Sequence, residues 1–595
     1  DEVNFLPGLH ISNTIALTNN CISLESENDH IHKMSSDILY HEISYAAFCG
    51  INYVMLPGPK QRKNTVQYAQ AVLNILNAFP QIQIILHMPF MVTSTTGYRS
   101  SDPLFTWDIW NAIKTTTDYP PNLYVGLDLL KNSIPSYVTS RWFSEPVKLL
   151  SISTKVFIPN AKGYPVLSKA QQQLVTQFMK IASLTIIQDT SSKARASEKT
   201  VGGKSAHLVY IRHLHQTRPE LTKLEKFATG YYDYLQAPLQ PLSDNLDSAS
   251  YEIFERDPVK YAQYEAAIQA AITDRRGEPE LIIAVVGAGR GGIVNCAHKA
   301  IGKFIDGCVI SNKSDREPNF RIIALEKNIN AYLYLLEQQR TQWADNDVCD
   351  IEVIFGDMRS WKPQIKLNII VSELLGSFGD NELSPECLDG VQNLLAQGGT
   401  MIPESYTSSL IPVMSHKIYS TAKRQNDLSV FHKPYVVMMQ SVDLLATQIE
   451  TAWKFEHPRD ILVNDKMVKK NNDQGFYTSP ETNKHNERRC KLSFKIPHKG
   501  VVHGFAGFFE AVLYKDIQIS IRPDNMDFVS KDMVSWFPII FLIERPLYLP
   551  EQSEIDISLW RKTDDKNVWY EWALESFLRV PQLNKVSSSG SESDN

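Results

Sequence analysis

The sequence predicts an α/β plus β fold in three parts, and three observations lead to this prediction. From residue 1 to about 220, short apolar runs alternate with helix-like stretches, which is typical of a TIM-like (β/α) barrel. Between 221 and 403, an apolar run ends in a glycine-rich turn that opens a helix, as in a Rossmann-like domain. From 404 to 595, short alternating runs separated by turn residues predict an antiparallel β-barrel.

The composition is that of a soluble globular chain. Of 595 residues, 43% are hydrophobic and 21% are charged, and 60 Lys and Arg against 66 Asp and Glu leave a net charge of −6. This mild acidity offers no general attraction to nucleic acid or to an anionic membrane. The 7 cysteines are scattered without a C-x-x-C pair, and no stretch reaches the ~18 apolar residues of a membrane span. We therefore expect an intracellular protein with no metal site, no membrane contact and no direct nucleic-acid partner.

The N-terminal part alternates candidate strands with candidate helices. These runs provide only about half of the strands that a closed eight-stranded barrel needs. A stretch rich in Ser, Lys and Gly at 191–206 is predicted to be a surface loop. The strand candidates are 51–56, 82–86, 123–127 and 155–158, and the helix candidates are 64–77 and 169–183.

The central part begins with an aromatic helical segment at 251–271, followed by a strand candidate at 281–286 that ends in a glycine run. Glycine lets the backbone approach a bound ligand at the start of a helix. The spacing is G-x-G-x-G from Gly287, and the acid that ends the next strand, Glu326, comes 39 residues later. A dinucleotide site would have G-x-G-x-x-G with an acid about 20 residues on. The spacing therefore favours S-adenosylmethionine, and a ligand-free turn is the alternative.

Two acidic positions follow later strands of this part. Glu326 would accept hydrogen bonds from both ribose hydroxyls, a role that suits a carboxylate with two oxygens. Asp357 and Met358, after the strand candidate at 351–355, would lie at the adenine. The alternative for Glu326 is an ordinary solvated charge at a strand end.

A carboxylate-rich window predicts a site for a cation. Residues 367–416 contain no Lys or Arg but six carboxylates. Glu373 follows a buried-looking strand at the carboxyl edge where open α/β sheets bind ligands. Glu382 lies nine residues further on, past Gly376 and Gly379, so a hairpin-like loop can return it beside Glu373. The alternative is an acidic run that only solvates a surface.

Paired carboxylates at this position suit a guanidinium group. Two carboxylates can grip the planar fork of arginine bidentately, which fixes its orientation as well as its charge. Because the guanidinium stays protonated at neutral pH, it is a poor nucleophile. Two glutamates would draw its positive charge away from one nitrogen, and one of them could receive the departing proton. Alignment of that nitrogen with the methyl group of a donor would supply the rest of the rate acceleration.

Several segments resemble the type II, symmetric protein arginine methyltransferases. Residues 372–390, SELLGSFGDNELSPECLDG, are similar to the double-glutamate loop of that family. The matching segments run from about 221 to 574, with a looser match at 106–107 and 163–169. They include the glycine motif at 286–291, a cofactor-covering helix at 251–261, and β-barrel segments at 503–510 and 535–538.

The resemblance implies a class I methyltransferase domain at the centre and assigns site residues. Glu373 and Glu382 would be catalytic and hold the substrate arginine. Phe254 would shape the pocket toward the symmetric product, and Trp536 would stack on the guanidinium face, a cation–π contact worth about 1–2 kcal/mol when desolvated. The cofactor S-adenosylmethionine, leaving as S-adenosylhomocysteine, would be bound by Tyr251, Lys260, Tyr261, Gly287, Gly289, Gly291, Glu326, Asp357 and Met358.

The resemblance also implies the reaction and the partners. The enzyme would make monomethylarginine and then symmetric dimethylarginine in Arg-Gly-rich proteins such as histones and Sm proteins, in the cytoplasm and nucleus. A homodimer or higher oligomer would form through the β-barrel part. The composition of 587–595 separately predicts a disordered acidic tail. A WD-repeat β-propeller adaptor would bind the N-terminal barrel. Gly292 departs from the family, which usually has proline there.

Two alternatives to protein arginine methylation remain. The first is a methyltransferase for a small molecule or a nucleic acid, although the absence of basic residues around Glu373 and Glu382 argues against a polyanionic substrate. The second is a non-catalytic scaffold that retains the fold for partner binding. Retention of every predicted cofactor and substrate position argues against it.

Overall fold

The computed structural model describes ten ranges of the chain: 14–59, 62–92, 101–188, 201–203, 205–310, 318–344, 348–459, 462–463, 466–467 and 482–577. The predicted loop at 191–206 lies mostly outside these residues, as does the polar stretch at 464–489, which the sequence predicts to be a protruding loop. The predicted acidic tail at 587–595 lies entirely outside them.

The N-terminal part is a parallel sheet with helices between successive strands. The strands are β1 (Ile15–Leu17), β2 (Tyr53–Pro57), β3 (Gln83–Pro89), β4 (Leu123–Leu129), β5 (Val147–Ser153), the short pair β6 (Ile158–Pro159) and β7 (Pro165–Val166), and β8 (Leu184–Gln188). The helices are α1 (Asp29–Phe48), α2 (Thr65–Ala78), α3 (Phe105–Thr116), α4 (Ser136–Phe143), α5 (Lys169–Phe178) and α6 (Ala206–Gln216). The sheet order β1-β2-β3-β4-β5-β8 follows the chain, as in a (β/α) barrel.

The predicted strand at 155–158 is wrong. The strand of this region is β5, which ends at Ser153, and residues 154–156 form a 3₁₀ turn. The hydroxyl of Ser153 accepts a hydrogen bond from the backbone N–H of Lys155, which satisfies a donor at the start of the turn and ends the strand.

The central part is a doubly wound parallel sheet. Its strands are β9 (Glu280–Val286), β10 (Asn319–Glu326), β11 (Asp350–Phe355), β12 (Leu367–Ser372) and β13 (Leu395–Ile402). Its helices are α7 (Lys223–Ala228), α8 (Ser248–Glu255), α9 (Pro258–Asp274), α10 (Gly292–Ile310), α11 (Ile329–Arg340) and α12 (Ser384–Val391). The order β11-β10-β9-β12-β13 reverses direction between β9 and β12, where open α/β sheets bind ligands.

The aromatic segment at 251–271 is two helices rather than the single one predicted. The break falls at Arg256 and Asp257, because Pro258 occupies the first turn of α9 and Asp257 caps it. A proline in the first turn lacks only a donor that would be unpaired there anyway, but it cannot continue a preceding helix. The break lets α8 turn over the edge of the sheet.

The C-terminal part consists of antiparallel sheets, as predicted. A seven-stranded sheet contains β14 (Ser405–Met414), β15 (Tyr435–Val436), β16 (Asp443–Leu444), β17 (Glu450–Glu456), β21 (Gly500–Tyr514), β22 (Ile517–Ser520) and β23 (Ile539–Leu549). A three-stranded sheet contains β20 (Arg488–Ile496), β24 (Ser553–Thr563) and β25 (Val568–Phe577), and β18 (Leu462–Val463) pairs with β19 (Lys466–Met467). The helices are α13 (His416–Lys423) and α14 (Met526–Val529).

Buried charges join the N-terminal and C-terminal parts. Lys499 pairs with Asp108, and Arg141 pairs with Asp443 at 3.3 Å between Nε and Oδ2. Because such groups are costly to bury unpaired, the two parts are held in one arrangement. In the described part of the chain, no helix is long and apolar enough to cross a membrane.

Candidate active site

A cavity of about 410 Å³ opens at the carboxyl edge of the central sheet. It is lined by the ends of β9, β10 and β12, by α8 and the start of α9, and by a C-terminal loop before β23. Twelve of the thirteen predicted site residues line it: Tyr251, Phe254, Lys260, Tyr261, Gly287, Gly289, Glu326, Asp357, Met358, Glu373, Glu382 and Trp536.

The glycine turn needs glycine at its cavity-lining positions. Gly287 and Gly289 have φ values of 73° and 54°, in the left-handed region that side chains disfavour. A Cβ at Gly287 would lie 3.0 Å from Leu374, and one at Gly289 would lie 3.0 Å from the ring of Tyr251. Gly291 differs, because it packs against Trp343 and does not line the cavity. Gly291 therefore shapes the turn from behind.

Glu326 ends β10 as a buried carboxylate beside the glycine turn. One oxygen, Oε2, accepts a hydrogen bond from the backbone N–H of Gly289 at 2.7 Å, and Oε1 accepts one from Asn328 at 2.6 Å. A carboxylate oxygen can accept more than one hydrogen bond, so each oxygen keeps capacity for a hydroxyl. This geometry suits the predicted grip on two neighbouring ribose hydroxyls.

Asp357 and Met358 lie beyond β11 on the far wall of the cavity. The carboxylate of Asp357 is bonded to the guanidinium of Arg359, with 2.6 Å between Oδ2 and Nη2. The hydrogen bond from Arg359 lowers the pKa of Asp357, so the group stays ionised. The contact of Asp357 with adenine stays a prediction, and Arg359 would share the carboxylate with it.

The helix α8 covers the cavity with two aromatic rings. The hydroxyl of Tyr251 accepts a hydrogen bond from Asn328 at 3.3 Å, and burial raises the pKa of this phenol. Phe254 lies one turn further on, with 6.3 Å between the two ring centroids in an edge-to-face arrangement. The Asp247 carboxylate caps α8 by accepting from the N–H of Ser250.

Lys260 places a buried ammonium between the rings and Glu373. The side chain is 1% exposed, and its Nζ lies 3.2 Å from Oε2 of Glu373. The same nitrogen lies 4.9 Å from the ring centroid of Tyr261, 5.3 Å from that of Trp536 and 5.6 Å from that of Phe254. Sequence reasoning assigned Lys260 only to the cofactor. The structure adds that it is the counter-ion of Glu373.

Glu373 and Glu382 meet at the cavity because the loop between them folds back. Gly376 and Gly379 exchange two backbone hydrogen bonds of 3.2 and 2.8 Å, which closes a tight hairpin. Burial raises the pKa of Glu382 well above the usual range, and the negative charge of Glu373 raises it further while Lys260 opposes the shift. The two glutamates therefore differ in their surroundings: Glu373 has a cation beside it, whereas burial favours the protonated form of Glu382.

The loop is anchored by a buried arginine of the three-stranded sheet. Arg561 donates from Nε to Asp380 at 2.5 Å and grips both oxygens of Glu386 at 2.8 Å each. Asp380, two residues before Glu382, also accepts from Trp453 and Tyr570 at 2.9 and 2.8 Å. The position of Glu382 therefore depends on the C-terminal part.

These contacts show that several carboxylates of the acidic window at 367–416 are already paired with cationic side chains of the protein. Asp380 and Glu386 are both paired with Arg561, and Asp389 is paired with Arg459 and His485. Of the six carboxylates, only those of Glu373 and Glu382 line the cavity. The window encodes one carboxylate pair and its anchors rather than an acidic surface.

Trp536 closes the cavity from the C-terminal side. Its indole N–H donates to the carbonyl of Leu375 at 2.7 Å, which joins it to the loop of Glu373. The two residues before it are held by Asp257, the cap of α9.

Sequence reasoning missed both Asp257 and Arg561. The cap signal of Asp257, an Asp before a proline, was present in the sequence, but its second contact spans 277 residues. Arg561 had no local signal. In the described ranges, no group of three or more His, Cys, Asp or Glu could hold a metal ion.

Comparison with protein-family models covers almost the whole chain. A model described as PRMT5 arginine-N-methyltransferase matches residues 222–402. A PRMT5 TIM barrel domain matches 1–217, and a PRMT5 oligomerisation domain matches 405–593.

Curated relatives match over nearly their full length. Protein arginine N-methyltransferase skb1 of Schizosaccharomyces pombe is 40% identical over 100% of this chain and 89% of its own. Protein arginine N-methyltransferase 5 of Oryza sativa subsp. indica is 35% identical over 99% and 88%, respectively. The protein of the same name from Xenopus laevis is 35% identical over 93% and 84%.

Proposed function

The chain belongs to the PRMT5 arginine-N-methyltransferase family, and we propose that it methylates arginine in Arg-Gly-rich proteins with S-adenosylmethionine as the methyl donor. The products are monomethylarginine and then symmetric dimethylarginine. The observation that carries this proposal is the pair Glu373 and Glu382, which lines one cavity with the glycine turn and Glu326.

The cofactor half of the cavity has the chemistry for an adenosyl sulfonium. Gly287 and Gly289 have no Cβ, which would crowd Leu374 or Tyr251, so their backbone stays accessible to a bound ligand. Glu326 keeps acceptor capacity for ribose hydroxyls, and Tyr251 covers the turn from α8. When bound, S-adenosylmethionine supplies an electrophilic methyl group on sulfur. Asp357 and Met358 would hold its adenine.

The arginine half suits a planar cation. Glu373 and Glu382 would accept hydrogen bonds from the guanidinium, and the indole of Trp536 would cover its face. The ammonium of Lys260 lies 3.2 Å from Oε2 of Glu373 and so fixes the orientation of that carboxylate. Glu382, whose pKa is raised by burial and by Glu373, is the better acceptor for the proton that must leave.

Phe254 supports the symmetric outcome. Its ring lies 5.6 Å from the ammonium of Lys260 and so stands beside the expected position of the guanidinium. A rigid ring at this position would limit the room around a nitrogen that already carries one methyl group. The second methyl group would then go to the other terminal nitrogen.

The proposed partners follow from the family. We propose histones and Sm proteins as substrates, because exposed Arg-Gly segments are flexible and cationic. A homodimer or higher homo-oligomer is proposed from the match at 405–593 to an oligomerisation domain. A WD-repeat β-propeller adaptor on the N-terminal barrel, and residence in the cytoplasm and nucleus, are proposals from the resemblance alone.

The experiment is a methylation assay with product identification. The protein is incubated with isotope-labelled S-adenosylmethionine and an Arg-Gly peptide, with the matching Lys-Gly peptide as a control. We expect label on the arginine peptide only, and symmetric dimethylarginine by mass spectrometry. An asymmetric product would contradict the symmetric assignment. If neither peptide is labelled, the proposed activity fails and the alternative of a non-catalytic scaffold is favoured.

A further inference from the structure

We propose that Asp257 is a positioning residue that locks the two walls of the arginine site together. One wall is the start of α9, which carries Lys260 and Tyr261. The other wall is the loop that carries Trp536. The proposal rests on the proposed function and goes beyond it, since it assigns the alignment of the walls to a residue that does not line the cavity.

The two oxygens of Asp257 are divided between the two walls. Oδ1 accepts from the backbone N–H groups of Val259 and Lys260 at 3.0 and 3.2 Å, as the cap of α9. Oδ2 accepts from the backbone N–H groups of Val534 and Ser535 at 2.8 Å each, and from the hydroxyl of Ser535 at 2.7 Å. One carboxylate therefore accepts from five donors in two segments, the second of which begins 277 residues after Asp257.

The contacts lead directly to the residues that face the cavity. Lys260 is itself one of the donors, and Trp536 follows Ser535 in the chain. The indole of Trp536 continues the link, since it donates to the carbonyl of Leu375 beside Glu373. The separation of the Lys260 ammonium from the Trp536 ring, 5.3 Å, is therefore set by a chain of bonds that begins at Asp257.

A residue that only capped α9 would not need hydrogen bonds to the loop that carries Trp536. Asp257 is fully buried, and among the described residues no Lys, Arg or His forms an ion pair with it. Burial of a carboxylate is costly, and here only backbone and hydroxyl donors compensate it. An ordinary cap such as Asp247 on α8 accepts from its own helix alone. The second set of bonds, to the Trp536 loop, is the feature that needs a further role.

The test uses Asp257→Asn, which keeps the shape of the side chain. An amide has one acceptor oxygen, and its NH₂ group would face N–H donors on the other side, so one wall must be released. We expect kcat/KM for an Arg-Gly peptide to fall by about 10–100-fold, because a misplacement near 1 Å can cost about that much. Wild-type kcat/KM in this variant would overturn the proposal.

The matched control is Asp108→Asn. Asp108 is also a buried carboxylate, but it lies on α3, bonds to Lys499 and Tyr548, and does not line the cavity. It should lower stability without changing kcat/KM of the folded enzyme. An equal loss of kcat/KM in both variants would reduce the effect of Asp257→Asn to a general loss of structure and overturn the proposal.

Two further readouts separate positioning from folding. Hydrogen exchange by mass spectrometry should show faster exchange of the amides of 534–535 in Asp257→Asn but not in Asp108→Asn. This readout needs no activity, so it tests the lock even if the proposed function fails. In a double-mutant cycle, Asp257→Asn should cost much less in a Trp536→Phe background than in the wild type. Unchanged exchange, or additive losses, would overturn the proposal.

Discussion

Glu382 is the residue whose ionisation the proposed chemistry uses. Burial and the nearby Glu373 raise its pKa, and Lys260 only partly offsets this. Since the ionised form accepts from arginine, kcat/KM should fall as the pH drops through this raised pKa. The fall should therefore begin at a pH above that of an ordinary glutamate, near 4.3. A pH profile of kcat/KM with stable, folded enzyme tests this, and a flat profile from about pH 5 to 8 would contradict it.

Phe254 is expected to set the product. Phe254→Met replaces a rigid ring with a flexible side chain and should admit asymmetric dimethylarginine. Mass spectrometry of the dimethylated peptide gives the ratio of the two isomers. Phe304→Met is the control, because Phe304 packs against Phe320 in the core and does not line the cavity. Only symmetric product from Phe254→Met would contradict this role.

At the residue scale, the sequence predicted the groups that end strands and missed those that act from a distance. Glu326, Glu373 and the glycine turn come directly after apolar runs, so their common edge could be predicted from strand polarity. The ion pair between Lys260 and Glu373 joins residues 113 apart and has no local pattern. The five hydrogen bonds that Asp257 accepts likewise include donors that are far away in the sequence, which no local pattern predicts.

The loop between β12 and α12 is the element on which the site depends, and Arg561 anchors it. Arg561→Lys keeps the charge but loses the fork that binds Asp380 and Glu386 together. We expect methylation to fall by about 10–100-fold through misplacement of Glu382. Binding of S-adenosylmethionine, measured by calorimetry, should stay nearly unchanged.

The control for this loop is Arg459→Lys. Arg459 pairs with Asp389, at the other end of α12, and does not contact Asp380. If both variants lose activity equally, then general packing around α12 explains the loss and the anchoring role of Arg561 fails.

Helices and strands were predicted well where the hydrophobic periodicity was strong. They were predicted poorly where a single polar residue determines where the element ends. The runs predicted as strands at 281–286 and 351–355 became β9 and β11, and their predicted ends lie within one residue of the observed ones. The strand at 155–158 was wrong, because Ser153 ends β5 and opens a turn. The helix at 251–271 is broken at Asp257 and Pro258, because a proline can start a helix but cannot extend the one before it.

At the scale of the whole molecule, a buried cluster supports the junction of the N-terminal and C-terminal parts. Glu145 is fully buried and accepts from Trp107 and Trp110 at 2.8 and 2.9 Å and from Lys114 at 2.5 Å. The ring of His416, from α13, lies 4.0 Å away. Glu145→Gln leaves the ammonium of Lys114 without its partner and should cost about 3–5 kcal/mol of stability.

Urea unfolding of the full chain measures this loss. The control is Glu27→Gln, which removes the exposed partner of Lys63 and should cost no more than about 1 kcal/mol. Equal midpoints for the two variants would contradict a stabilising role for the cluster.

The three-part architecture was predictable because the hydrophobic pattern of the sequence changes from one part to the next. The way the parts contact one another was not, because the contacts join distant residues: Lys499 and Asp108 are 391 positions apart, and Arg561 and Asp380 are 181 apart. The site is built from both the central and the C-terminal parts, so the sequence could name its central residues but not its supports.

The most direct test of the carboxylate pair is Glu382→Gln. Glutamine keeps the shape of glutamate without its charge, and because burial raises the pKa of Glu382 and so disfavours the charged form in the folded protein, the substitution should not destabilise the fold. Two quantities are measured on the same sample: methylation of an Arg-Gly peptide and affinity for S-adenosylmethionine. We predict that methylation is abolished while the affinity changes by less than about threefold, since the cofactor residues are untouched. Turnover like that of the wild type would contradict the account.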